Sequence, residues 1–200
     1  MAKFLWLAMV VALWPRSSAS AARELEEVAG CLDEARARLR SHEERVSAMT
    51  AELLGTLSYP VWREGATPFL PFEGAWAGTW GAIPVEQLWR SVDAETQLVV
   101  VNDGGELRRG INLVHEGQIC GIVMDAAGNE RLHRGYWSPA TGELIWVTPE
   151  RVYVERVSGA GFHRTYEIRE LVPGPRGLRV GIEATYRPLW PCSRYAAYAT

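Results

Sequence analysis

The side chains that could carry acid–base or metal chemistry are spread along the chain without a spacing that links them. The candidates are four histidines and three glutamates: His42, His115, His133, His163, Glu155, Glu167 and Glu183. No two histidines have the His-x-x-x-His or His-Glu-x-x-His spacing of a zinc site. Alternation along the predicted strands places the glutamates mostly on polar faces. The sequence therefore predicts no catalytic residue, no metal and no cofactor, and an enzyme is the least favoured class of function.

The first 21 residues have the pattern of a secretory signal peptide. Lys3 supplies the positive start, Phe4–Trp14 is an uncharged apolar run, and Ala19-Ser20-Ala21 places small residues before a cut. We expect cleavage after Ala21 and a mature protein that is periplasmic or secreted. No second apolar stretch approaches the roughly 20 residues of a spanning helix, so no membrane span is expected in the mature chain.

The charge of the chain excludes further classes of chemistry and of partner. Its 21 basic and 24 acidic residues give a formal net charge of −3, without the clustered basic face that nucleic-acid binding needs. Lys3 is the only lysine, and it lies in the predicted signal peptide. Lysine Schiff-base chemistry and a P-loop lysine are therefore excluded from the mature protein.

Three cysteines, Cys31, Cys120 and Cys192, make a disulfide possible in an exported protein. Three cysteines allow three pairings. We predict that Cys120 pairs with Cys192, because this bond would pin the C-terminal tail to a barrel strand. Cys31 would then stay free or link two chains.

The segment 22–57 has the pattern of one long helix, in which the seam residues recur at alternating spacings of three and four. These residues are Leu25, Val28, Leu32, Ala35, Leu39, His42, Val46, Met49 and Leu53. The spacing matches the seam of a coiled coil, which would make the chain a homo-oligomer through residues 25–53. The same stripe could instead pack on the chain's own β-domain. The near-unbroken alternation slightly favours self-association, and the Pro- and Gly-containing linker 58–71 ends the helix.

Residues 72–200 alternate short apolar–polar runs with clusters of turn residues, as in a β-meander. Asn102-Asp103-Gly104-Gly105 and Ala127-Gly128-Asn129 are two such clusters. Connections this short make neighbouring strands antiparallel. We therefore predict an all-β antiparallel up-and-down barrel of about 8–10 strands, preceded by one long N-terminal α-helix, with a sandwich as the alternative.

Alternation also predicts which side chains face the barrel interior. Phe162 and Tyr166 share one strand face with Arg164. Tyr186 lies on the apolar face of the last strand. Because an unpaired buried charge is unfavourable, Arg164 either binds the polar head of a ligand or lies near a strand end and reaches water or a glutamate. The expected ligand-binding residues are Arg164, Tyr166, Phe162, Trp146 and Tyr186.

The first predicted strand contains two Gly-x-Trp units, Gly74-Ala75-Trp76 and Gly78-Thr79-Trp80. This motif resembles the opening strand of lipocalins and other calycin barrels, and the resemblance covers roughly Phe72–Trp190. It implies that Trp76 closes the barrel floor and that an arginine from the end of the last strand covers it, a place that Arg187 occupies here. Such an arginine can stack on the indole ring.

Three functions remain open. The favoured one is an exported soluble protein whose barrel binds a small, largely apolar ligand, with the helix serving for oligomerisation or capping. The second is a structural cell-envelope protein in which aromatic side chains fill the barrel and nothing binds. The third is a barrel enzyme. A cavity of about 300 Å³ or more would distinguish the first function from the second.

Overall fold

A computed structural model describes residues 18–55, 67–160, 163–174 and 177–189. Most of the predicted signal peptide and of the predicted linker lies outside these ranges, as do Phe162, Trp190 and Cys192. Within them the chain forms three α-helices, one short 3-10 helix and ten strands.

The strands form one closed barrel in which each pairs antiparallel with the next and the last returns to the first. They are β1 (Gly74–Trp80), β2 (Ile83–Ser91), β3 (Thr96–Asp103), β4 (Glu106–His115), β5 (Gln118–Met124), β6 (Glu130–Ser138), β7 (Glu143–Val147), β8 (Val152–Ser158), β9 (Thr165–Gly174) and β10 (Gly177–Pro188). Closure places Trp76 opposite Pro188, and Gly78 opposite Tyr186. The predicted fold class, an antiparallel up-and-down barrel after a helical segment, is confirmed.

Glycine in the left-handed backbone region makes the tight connections possible. Between β3 and β4, Gly104 has φ +61° and Gly105 has φ +98°, values that side chains other than glycine rarely tolerate. The side-chain oxygen of Asn102 accepts a hydrogen bond from the Gly105 N–H at 3.0 Å. The turn cluster that the sequence showed therefore reverses the chain between two paired strands.

The helical segment is three helices rather than the single long helix predicted. They are α1 (Ser18–Glu26), α2 (Ala29–Ser41) and α3 (Glu43–Leu54). The breaks lie at Val28 and His42, whose backbones leave helical geometry with ψ of 14° and 17°. α1 contacts β6, α2 contacts β4 and β5, and α3 contacts β2 and β3. The breaks let short helices follow a curved barrel wall that one straight helix could not stay against.

The stripe of apolar residues on these helices packs against the outer face of the barrel. Its buried members are Val28, Leu32, Ala35, Leu39, Val46, Met49 and Leu53. They form one cluster with outward-facing strand residues, among them Leu88, Leu98, Ile111 and Leu113. The stripe is thus buried on the chain's own β-domain, which is the alternative packing that the sequence allowed, and is not exposed for a coiled coil.

A disulfide joins the helices to the barrel. Cys31 of α2 is bonded to Cys120 of β5, with the two Cα atoms 6.1 Å apart. The predicted pairing of Cys120 with Cys192 is therefore wrong. The physical reason is that α2 lies across β4 and β5, so the helix that carries Cys31 is already in contact with the strand that carries Cys120.

Candidate functional site

The barrel encloses a cavity of about 760 Å³. Because side chains alternate along each strand, one face of every strand lines this space and the other faces the helices or solvent. Apolar and aromatic residues form much of the wall: Trp80, Val85, Trp89, Val99, Val101, Val123, Trp146, Tyr153, Tyr166, Ile168 and Tyr186. The interior is therefore hollow over part of its length, and six Trp and Tyr side chains line it.

One end of the barrel is closed by packed aromatic side chains. Phe69, which precedes the short 3-10 helix Leu70–Phe72, and Phe72, its last residue, are both buried. The indole N–H of Trp76 donates to the carbonyl oxygen of Phe72 at 2.8 Å. The guanidinium of Arg164 lies 5.5 Å from the Trp76 ring and donates to the carbonyl of Pro71. These contacts form a floor that closes the barrel.

The arginine at this floor is not the one that the calycin resemblance implied. Arg187 lies opposite Ala77, on the outer face of β1, whereas Trp76 faces inward. The Arg187 guanidinium instead donates to the hydroxyl of Thr165 on the outside of the barrel. The implied contact between Trp76 and Arg187 is thus replaced by one between Trp76 and Arg164, because alternation directs Arg187 away from the interior.

Tyr166 lies at the centre of the aromatic cluster between the floor and the cavity. Its ring centroid is 5.5 Å from those of Phe72 and Trp76, 5.7 Å from that of Trp89 and 5.3 Å from that of Tyr186. The Tyr166 hydroxyl is buried and lies beside the carboxyl group of Glu155. A buried hydroxyl at the edge of a cavity is a group that a ligand or water can satisfy.

Glu155 is the one carboxyl group on the deep part of the described cavity wall. It is 7% exposed, and its Oε2 accepts a hydrogen bond from the Trp146 indole N–H at 3.2 Å. Burial raises the pKa of Glu155 to about 7, although hydrogen bonding to Trp146 and Tyr166 acts in the opposite direction. No cationic side chain forms an ion pair with Glu155 among the described residues. The described residues therefore stabilise the carboxylate form of Glu155 only weakly.

His133 lines the same cavity in its neutral form. Burial, and secondly the positive charge of Arg131, lower the pKa of His133 to about 4. The backbone of Gly121 acts on the pKa of His133 in the opposite direction, and the His133 ring lies 6.0 Å from that of Trp146. A neutral imidazole has one donor and one acceptor nitrogen, so His133 can accept one hydrogen bond.

Amide side chains complete the polar part of the wall. The Trp89 indole donates to Gln87 Oε1 at 2.9 Å. The amide of Asn112 donates to Gln97 Oε1 at 3.3 Å, and Gln97 in turn donates to the Phe69 carbonyl at 2.9 Å. The hydrogen bonds from Asn112 through Gln97 to Phe69 run from the cavity wall to the floor, and they orient the Asn112 and Gln97 amides.

Charged side chains surround the open end of the cavity. Arg108 pairs with Asp103 at 3.0 Å, and Arg151 pairs with Glu170 at 3.0 Å. Arg131 is exposed on the same rim. The rim is polar and hydrated, whereas the deep wall is aromatic, so a ligand with one apolar end fits this gradient.

The structure brings together three of the five predicted ligand residues. Trp146, Tyr166 and Tyr186 line the cavity. Arg164 lies at the floor against Trp76, and Phe162 lies outside the described residues. Sequence reasoning named Glu155 and His133 only as scattered acid–base candidates and did not name Asn112, and all three line the cavity. Glu155 shares a strand face with Tyr153, which lines the same wall, but the opposite face of this strand is the more apolar one.

Comparisons with known proteins do not extend this description. No protein-family model matches the chain, and no curated protein matches its sequence.

Within the described ranges, no group of three or more His, Cys, Asp or Glu side chains is placed to hold a metal ion. Among the same residues, no helix is both long enough and apolar enough to cross a membrane.

Proposed function

We propose that this protein is exported and binds a small, largely apolar ligand inside its barrel, as calycin-like proteins do. The observation that carries the proposal is the cavity of about 760 Å³. Small-molecule pockets range from about 300 to 1,000 Å³ and combine apolar walls with a few polar groups. The wall described above has both features. A barrel that served only for assembly would have no need of such a volume.

Two further features support export. The N-terminal sequence has the charged, apolar and small-residue segments of a signal peptide. The disulfide between Cys31 and Cys120 fits an oxidising compartment, because thiols are kept reduced in the cytosol. In this proposal the helices cap the outside of the barrel, which leaves the open rim as the route to the cavity.

The first test is the recovery of the protein from its native cell envelope, followed by mass spectrometry of the bound small molecules. We expect a stoichiometric apolar compound and an N-terminus at Ala22. Protein recovered with Met1 at its N-terminus would contradict export.

The second test is binding of diphenylhexatriene, a neutral apolar dye whose fluorescence rises in a dry site. Ile168→Trp fills the cavity from β9, where Ile168 lines the wall and is buried. Thr185→Trp adds the same side chain on the exposed outer face of β10 and is the matched control. We expect Ile168→Trp to weaken binding about tenfold or more and Thr185→Trp to leave it unchanged. Equal binding by Ile168→Trp and the wild type would place the dye outside the barrel and contradict the proposal.

A further inference from the structure

The indole and amide donors of the cavity wall form hydrogen bonds within the wall, and several acceptors remain without a donor. The indole N–H groups of Trp89 and Trp146 donate to Gln87 and Glu155. The Asn112 amide N–H donates to Gln97. Each of these bonds lies within the wall itself. The Tyr166 hydroxyl is the buried donor that remains on this wall, and it lies beside Glu155.

The acceptors that remain are of three kinds. Glu155 presents a carboxyl group whose Oε2 accepts from the Trp146 indole and beside which the Tyr166 hydroxyl lies. Asn112 keeps its carbonyl oxygen, because its amide nitrogen is the atom bonded to Gln97. His133 is neutral and therefore has one acceptor nitrogen. A ligand that reaches this wall must bring N–H or O–H groups to satisfy them.

The electrostatics of the wall favour a positive charge on that ligand. Glu155 is buried and has no cationic partner among the described side chains. Trp89, Tyr166 and Tyr186 line the same cavity, and aromatic faces attract cations. The cations of the open end are paired or exposed: Arg108 and Arg151 form ion pairs, and Arg131, whose charge acts on His133, is exposed. Charges interact more strongly in the low dielectric of the interior than at a hydrated rim.

We infer that the ligand is an organic amine, bound with its ammonium group against Glu155 and its apolar part among the aromatic rings of the cavity. This inference rests on the proposed function, since it names the class of ligand for the same cavity. The ammonium N–H groups would bond to Glu155 and could also reach the acceptors of Asn112 and His133. The apolar part would occupy the volume between this wall and the rim.

The test compares three probes of equal chain length: octylamine, octanol and octanoate. Binding is measured by calorimetry at about pH 8, where octylamine remains cationic. In the wild type we expect octylamine to bind about tenfold or more tightly than octanol, because a charged hydrogen bond is stronger than a neutral one. Octanoate should bind most weakly, because its charge would oppose that of Glu155.

Glu155→Gln removes the charge and keeps the shape of the side chain. We expect it to bring the affinity for octylamine to within about threefold of that for octanol, while the affinity for octanol changes little. Glu167→Gln makes the same chemical change on the outer face of β9, where Glu167 pairs with Arg156, and should leave all three affinities unchanged.

The outcomes distinguish the proposed apolar binding site from the further inference that its ligand is an amine. Equal binding of the three probes, or a preference for octanoate, would overturn the inference and leave the cavity as an apolar binding site. Binding of none of them would count against the proposed function itself and against the inference with it. If thermal melting shows that Glu155→Gln does not fold, the ranking of the probes by the wild type still decides.

Discussion

Cys31 and Cys120 are 89 residues apart in the chain and are joined by a disulfide between α2 and the outer face of β5. The bond closes a loop that contains α3 and the first strands of the barrel. It therefore ties the helices to the barrel covalently, in addition to the apolar contacts between them.

Loss of this disulfide should destabilise the protein. A cross-link over a loop of this length stabilises the folded state by about 2–5 kcal/mol, chiefly by restricting the unfolded chain. We expect Cys31→Ser to lower the free energy of unfolding in urea by this amount. Cys192→Ser should have no comparable effect, since Cys120 is already bonded to Cys31. A large loss in Cys192→Ser with none in Cys31→Ser would restore the pairing that the sequence suggested.

Two adjacent leucines at the end of α3 test the packing of the helices on the barrel. Leu53 is 0% exposed within the cluster that joins helices and strands, and Leu54 is 51% exposed. We expect Leu53→Ala to lower the free energy of unfolding by about 2–5 kcal/mol, because it leaves a cavity in this cluster. Leu54→Ala should change it by less than about 0.5 kcal/mol. If both substitutions have equally small effects and the protein forms an oligomer at higher concentration, the apolar stripe of the helices packs between chains.

The architecture of the barrel was predictable because residues that are close together in the sequence determine it. Turn glycines such as Gly104 mark where a strand must end, and short connections leave antiparallel pairing as the only geometry. The partner of the helical stripe was not predictable in this way. Leu32 and Leu39 satisfy a coiled-coil seam and an amphipathic surface helix equally well, since both need apolar residues every three or four positions.

The site was harder to predict because both faces of some strands are buried. In β8, Val152 and Val154 are 1% and 6% exposed on the outer face, and they form the more apolar set. Alternation therefore pointed to them as the interior and assigned Glu155 to a polar face. The Glu155 carboxyl group instead lies inside the barrel. A method that identifies the interior face by its apolar residues could not place a carboxyl group there.

The pH dependence of stability should reveal the buried carboxyl group. The pKa of Glu155 is raised from its ordinary 4.5 to about 7 in the folded state. Between these values the folded state binds more protons than the unfolded state, so stability falls as pH rises and the loss is complete above about pH 7. We expect the wild type to lose about 2–3 kcal/mol across this window relative to Glu155→Gln.

His133 should give the opposite slope and serves as the control for that experiment. Its pKa is lowered from 6.5 to about 4, so the unfolded state binds more protons between these values. The wild type should therefore lose stability relative to His133→Gln as pH falls through this window. Both differences are measured by urea unfolding at several pH values. A flat difference between the wild type and Glu155→Gln would mean that Glu155 is hydrated in the folded state.

The last prediction concerns two glycines that receive the same substitution with opposite results. A Cβ atom built on Gly135 would lie 2.4 Å from Ile119 Cγ2 and 2.8 Å from Trp146 Cζ3, inside the barrel. A Cβ atom on Gly30, in α2, would have no neighbour within 4 Å. We expect Gly135→Ala to destabilise the protein by about 1–3 kcal/mol through overpacking. Gly30→Ala should stabilise it by up to about 1 kcal/mol, since alanine has the higher helix propensity.

The same pair also tests the link between packing and binding. Displacement of the Trp146 ring would lengthen its 3.2 Å hydrogen bond to Glu155, so Gly135→Ala should shift the tryptophan fluorescence and weaken binding of octylamine more than that of octanol. Gly30→Ala should leave both unchanged, because α2 packs on the outside of β4 and β5. If Gly135→Ala keeps the wild-type fluorescence and binding, Trp146 does not orient Glu155, and the carboxyl group is held by the rest of the wall.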